Sequence, residues 1–225
     1  MIHAWDYQEV CRELANAFNY RYPVKETSGI RMVGLLFAPI EVRLAREEIV
    51  PSLEYFHHRS GNHIDFFCAG YSRYGFTPGE RPVTDDDPPW MFSLELFDRF
   101  RSDIEYRSRW RYSGEADLLL LNGMRSTDDK MASLDFSSTI VCDLDRMIRD
   151  KAIYSVRRFF EDVFRFAEDV RAPDPTWGFS DNMGIHTAGS ALKRVILSFL
   201  PKDLGTDYCR AEHFVIRDVS SPLRG

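Results

Sequence analysis

Grouped histidines and paired carboxylates are the side chains of this sequence that could do chemistry at close range. His57, His58 and His63 stand near one another, with Asp65 just beyond. Imidazole is the commonest metal ligand. On a helix of ~3.6 residues per turn, however, neighbours such as His57 and His58 point about 100° apart, so they do not share one metal. Imidazolium near a helix C-terminus is favourable by about 0.3–1 kcal/mol, and that structural role is the expected one. Asp143-Leu144-Asp145 closes the apolar run 139–142. Alternate strand side chains share a face, so Asp143 and Asp145 could meet at one magnesium for phosphate- or nucleotide-directed chemistry. The structural alternative is a polar strand end leading into a turn.

Two further stretches have the look of ligand sites. Gly184-Ile185-His186-Thr187-Ala188-Gly189-Ser190 opens a helix whose first N–H groups could hold an anion. It lacks the lysine that a phosphate-binding loop needs, and Thr187 or Ser190 reads as an ordinary N-cap. Asp85-Asp86-Asp87 has no loop of spaced oxygens and no distal glutamate, so a solvated loop is expected rather than calcium.

The most site-like surface candidate is Arg107, Arg109, Trp110, Arg111 and Tyr112. Arginine and tryptophan are over-represented among interface anchors. The alternative puts Trp110 and Tyr112 into the sheet and leaves the arginines solvated.

These residues need elements to position them. With 225 residues and 44% hydrophobic content, including 17 Phe, the chain can build one well-packed core. Mean hydropathy is −0.34, and no apolar run approaches the ~20 residues of a membrane helix. The first residues carry no basic region followed by an apolar one, so no signal peptide is expected and a cytoplasmic location is the default. The net charge is −6, with arginines and lysines interleaved among acids. That pattern argues against nucleic acid as a partner. Cys11, Cys68, Cys142 and Cys209 are far apart and form no C-x-x-C pair, so neither zinc, a disulfide nor a dithiol site is expected.

Helical spacing of Tyr7, Val10, Cys11, Leu14 and Phe18 predicts a helix over 4–20. Apolar runs predict strands near 31–38, 63–71, 116–122 and 136–144, with Phe67, Leu119 and Val141 buried. Between the first two lies a helix over about 41–58, which Pro51 should kink near Glu47. The two flanking strands should be parallel neighbours, and the last two an antiparallel pair. A polar loop over 75–90 precedes a helix beginning at Trp90. Another helix is expected at about 152–170, then one at 187–200 and a short strand within 213–219.

The order α-βαβ-α-ββ-α over 4–170 resembles the thioredoxin-like fold. The kinked-helix string Ile49-Val50-Pro51-Ser52-Leu53 and the strand entry Gly114–Leu121 carry the likeness. The resemblance implies a central mixed sheet with helices on both faces in 1–172, and a C-terminal extension, 173–225, packed on the same domain. It also implies where the redox cysteines would stand, near Arg43 and Arg46, and where a cis-proline would stand, near Ala116. Arginine cannot replace a thiolate nucleophile, and a cis bond before a residue other than proline costs about 2.5–4 kcal/mol. A second resemblance is weaker. Haloacid-dehalogenase-type phosphatases open with an aspartate pair like Asp143 and Asp145, but here Arg146-Met147 follows where they have a small residue and a hydroxyl.

The expected function is therefore a redox-inactive, thioredoxin-like module that binds another protein or a second copy of itself and carries no cofactor. Its binding surface would be Arg43, Arg46, Arg109, Trp110 and Arg111, basic and aromatic together. The alternative is a metal-dependent enzyme built on Asp143 and Asp145.

Overall fold

The apolar strings become the strands of one mixed sheet in the computed structural model, which describes residues 2–21, 29–60, 64–73, 79–126, 131–169, 213 and 216–221. Its strands are β1 (Ile2–Ala4), β2 (Ile30–Phe37), β3 (Asp65–Ala69), β7 (Asp117–Arg125), β8 (Ala132–Asp143) and β9 (Ile216–Arg217). In space they run β1-β3-β2-β7-β8-β9. β1 and β2 flank β3 in parallel, whereas β7, β8 and β9 each run antiparallel to the strand before them in that order. Leu35 thus stands between Phe67 and Leu119, and Gly34 between Phe66 and Leu120. A separate small sheet pairs β4 (Tyr71–Ser72), β6 (Met91–Phe92) and β5 (Arg81–Pro82).

The helices divide between the two faces because β2 and β3 are apolar on both. On one face lie α1 (Tyr7–Asn16) and α3 (Leu94–Arg107). There Phe37 stacks on Phe100 and meets Phe97 edge-on. On the other lie α2 (Leu53–Ser60) and α5 (Val156–Asp169), where Phe66 meets Phe160 and Phe164, and Phe56 meets Phe160. Arg59 of α2 and Glu161 of α5 add a two-point ion pair at 3.0 and 2.8 Å, and the Tyr55 hydroxyl donates to the same carboxylate.

The helix between β2 and β3 is kinked, as Pro51 requires. A π turn at Ala45–Ile49 gives way to a 3-10 turn at Val50–Ser52 before α2 begins. Val50 N–H reaches back to the Ala45 carbonyl, the wide spacing of a π turn. Pro51 brings no N–H, so the ladder cannot continue undisturbed through it.

Several expectations need correction. Trp90 does not begin a helix; it is buried ahead of β6, and α3 starts after Ser93, whose hydroxyl accepts Leu96 N–H at 3.3 Å. Phe67 and Leu119 are fully buried, but Val141 is only half-buried, because β8 near the sheet's end has one face less covered. Asp143 and Asp145 do not share a strand: Asp143 is the last residue of β8 and caps a short helix, α4 (Leu144–Arg149), on which Asp145 lies. The expected helix at 187–200 lies outside the described residues, as do residues 74–78 of the polar loop and most of 173–225.

Candidate functional site

The strand β2 ends at Phe37, and Ala38-Pro39 turns the chain outward before the kinked helix. Beside this end, residues 113–116 lead into β7, and α4 follows the end of β8. These three segments enclose an open crevice of about 450 Å³, bordered by Arg43, Leu44, Glu115, Asp145, Ile148 and Arg149. In open α/β sheets the end of the central strands is the usual place for a ligand.

The charges in the crevice are mixed. Arg43 is exposed, and its nearest carboxylate, Glu47, is 3.8 Å away. Arg149 Nη1 reaches both oxygens of Glu115, at 3.1 and 3.2 Å, and ties α4 to the loop. Asp145 Oδ2 accepts the Ala116 N–H at 2.9 Å, while the Ala116 carbonyl accepts Leu144 N–H at 2.8 Å. Ala116 therefore uses an N–H that a proline at this position would lack. Burial raises the Asp145 carboxyl above its ordinary pKa.

The loop is fastened largely by acceptors on side chains. Tyr112 N–H donates to Glu105, Ser113 N–H to Asp117, and Glu115 N–H to the Ser113 hydroxyl. Asp117 is 1% exposed and is pushed up to about 6, first by burial and further by Asp143 and Asp145. One of its oxygens, Oδ1, has no partner, and neither do the buried Trp110 Nε1 and Tyr112 hydroxyl.

Arg43 lines the crevice with Gly114 and Glu115, ahead of β7, but the aromatic surface expected with it is not there. Trp110 is 4% exposed. Its ring lies 4.6 Å from that of Phe37, inside the same end of the sheet. The apolar indole gains more from covering Phe37 than from facing water, so it anchors the core and not a partner. Arg111 is spent on the end of α3, where Nη1 donates to the carbonyls of Glu105, Ser108 and Trp110 at 2.9, 3.0 and 2.7 Å. Arg109 is exposed, with its backbone N–H on the Val219 carbonyl. Arg46 is exposed and donates to the Glu41 carbonyl at 3.1 Å. Glu115, Asp117 and Arg149 were not singled out from sequence. The one signal was an aspartate set directly against four leucines, at Asp117–Leu121.

The other candidates have structural occupations. Asp143 accepts Arg146 N–H at 2.8 Å as a cap, so it and Asp145 each hold a backbone donor. His58 bonds Glu54 at 2.9 Å, His57 lies against Trp90, and Asp65 is buried on Arg31 at 2.9 Å. His63 and residues 184–190 lie outside the described residues. Among the described residues, no group of three or more His, Cys, Asp and Glu side chains could hold a metal ion. Cys11, Cys68 and Cys142 are free and buried. Burial pushes the Cys11 thiol up to about 11 and those of Cys68 and Cys142 higher still. No described helix is long and apolar enough to cross a membrane.

Comparison with known proteins gives no relative. No family model, curated protein or solved structure matches this chain.

Proposed function

We propose that this chain is a redox-inactive, thioredoxin-like module that binds a segment of another protein in the crevice beside Arg43. The fold supports the reading through its parallel β2–β3 pair, joined by a proline-kinked helix, and through the β7–β8 hairpin laid against β2. One observation carries the function. The crevice sits between the start of the kinked helix and the entry to β7, where that fold would keep its redox centre, and arginine and carboxylate side chains border it instead of thiols. A mixed-charge border with Leu44 and Ile148 among its lining residues suits a peptide segment carrying charges of both signs beside an apolar residue.

A photo-crosslinking amino acid placed at Arg43 tests the proposal, with one at Arg99 on α3 as the control. Adducts at position 43 that weaken when Arg149 is changed to Glu, with none at position 99, support the crevice. The same adducts from both positions, or no effect of Arg149→Glu, would overturn it.

A further inference from the structure

The strip Trp110–Asp117 concentrates buried polar atoms that lack partners, and it also forms one wall of the crevice. Trp110 Nε1, the Tyr112 hydroxyl and Asp117 Oδ1 are all buried and unpaired. A buried polar group without a partner is costly, and a carboxylate more so than a hydroxyl. What covers them is thin. Ser113 and Gly114 are exposed, and Gly114 has φ +90° with no atom within 4 Å of the place a Cβ would take. We propose that residues 113–116 form a pH-responsive flap: ionisation of Asp117 favours a state in which this segment lifts from the end of the sheet, lets water reach the carboxylate and widens the crevice.

The surroundings of Asp117 set the direction. From β8, Asp143 stands directly across and Cys142 beside it, and from α4 comes Asp145. From its own strip come Tyr112 and the backbone and hydroxyl of Ser113. From α3, Asp98 and Arg101 face Tyr112. From β2, the residue opposite is the apolar Phe37. Among the described residues, Asp117 forms no ion pair. Its favourable partners are the N–H and hydroxyl of Ser113, and two other carboxylates oppose its charge.

The closed state therefore holds the proton more tightly than a solvated aspartate does. By linkage, losing that proton must shift the population toward any state that solvates the group. A closed-state value of about 6 against an ordinary 3.8 sets the limit at about a hundredfold. The same opening gives water to the indole and phenol of the strip. This flap stands on the geometry of Asp117 and does not depend on the crevice binding a protein.

Native-state amide hydrogen exchange at pH 5 and pH 8, corrected for the intrinsic rate at each pH, tests it. In the wild type, protection of the amides of Ser113, Glu115 and Ala116 should fall by up to about tenfold between the two, since part of the full effect is already present at pH 5, while Leu119–Leu121 keep theirs. Asp117→Asn retains an acceptor for Ser113 and loses the charge, so its loop should stay as protected at pH 8 as at pH 5. Carbon NMR of the Asp117 carboxyl in the wild type guards against a variant that folds poorly. Its titration should centre near 6, and protection should stop falling with pH as that titration completes. Protection that does not change with pH, an equal loss in Asp117→Asn, or a carboxyl titrating near 4 would each overturn the flap.

Discussion

Replacing Gly34 with alanine probes how tightly the sheet is packed against α5. A Cβ at this position would lie 2.6 Å from Phe66 Cδ2 and 2.8 Å from Cε2. That is about 1 Å inside the ~3.5–4.0 Å at which carbon atoms attract one another. The ring has little room to retreat, since it is fully buried with Phe160 at 5.1 Å and Phe164 at 5.5 Å. Two effects oppose each other. Alanine restricts the unfolded chain and suits a strand better, which favours the variant by about 0.5–1 kcal/mol. Overpacking a close-packed core costs about 1–3 kcal/mol. The clash is with the body of a ring wedged between two others and not with a flexible tip, so the second effect wins. We expect a net loss of about 1–2 kcal/mol, with Tm falling by about 2–4 °C for each 1 kcal/mol. Urea unfolding with an unchanged slope should report it as a lower midpoint. The double variant Gly34→Ala/Phe66→Leu supplies the control. Removing the ring should make the added methyl tolerable, giving a coupling of about 1 kcal/mol in a double-mutant cycle. A midpoint for Gly34→Ala equal to or above the wild type, or no coupling with Phe66→Leu, would refute the reasoning.

Further outcomes follow from the same structure. Leu119→Ala should lose about 2–5 kcal/mol and Trp110→Ala about 3–5 kcal/mol by urea unfolding, since each empties a fully covered core site. In a Cys209→Ser background, a thiol reagent at pH 8 should label the folded protein slowly and label it fully in urea, and insulin reduction should remain at background. Glu161 is held down to about 2, chiefly by its hydrogen bonds from Arg59. Its contribution should be complete above its ordinary value of about 4.5 and disappear as pH falls toward 2. The stability difference between wild type and Glu161→Gln, measured by urea unfolding, should therefore shrink across that window.

The long central strands and their directions were legible because β2, β3 and β7 are apolar on both faces, which leaves few other structures for such runs. The kink was legible because Pro51 removes a donor wherever it falls in a helix. β1 was not. Ile2-His3-Ala4 has no periodicity, and only its pairing with Phe67–Ala69 makes it a strand. The two-residue strands of the small sheet escaped for the same reason. The site was half legible. Arg43 follows from its place at the helix start, but Glu115 and Arg149 meet across the fold, and nothing in either local sequence announces that pairing. Trp110 was misjudged because flanking arginines make a tryptophan look exposed, whereas the decisive neighbour, Phe37, is remote in sequence.

The position of β2 has a consequence for how the protein is made. One edge of this strand pairs with β3, which follows it soon in the chain, and the other pairs with β7, which comes only after the small sheet and α3. On the ribosome, Ile30–Phe37 must therefore wait with an open, apolar edge until Asp117–Arg125 has emerged. Such an edge templates unwanted pairing. The nascent chain, more than the finished one, is the form at risk, and it should need a holding chaperone over that stretch of synthesis. A truncation ending at α3 should accordingly precipitate on expression, while the full chain stays in solution.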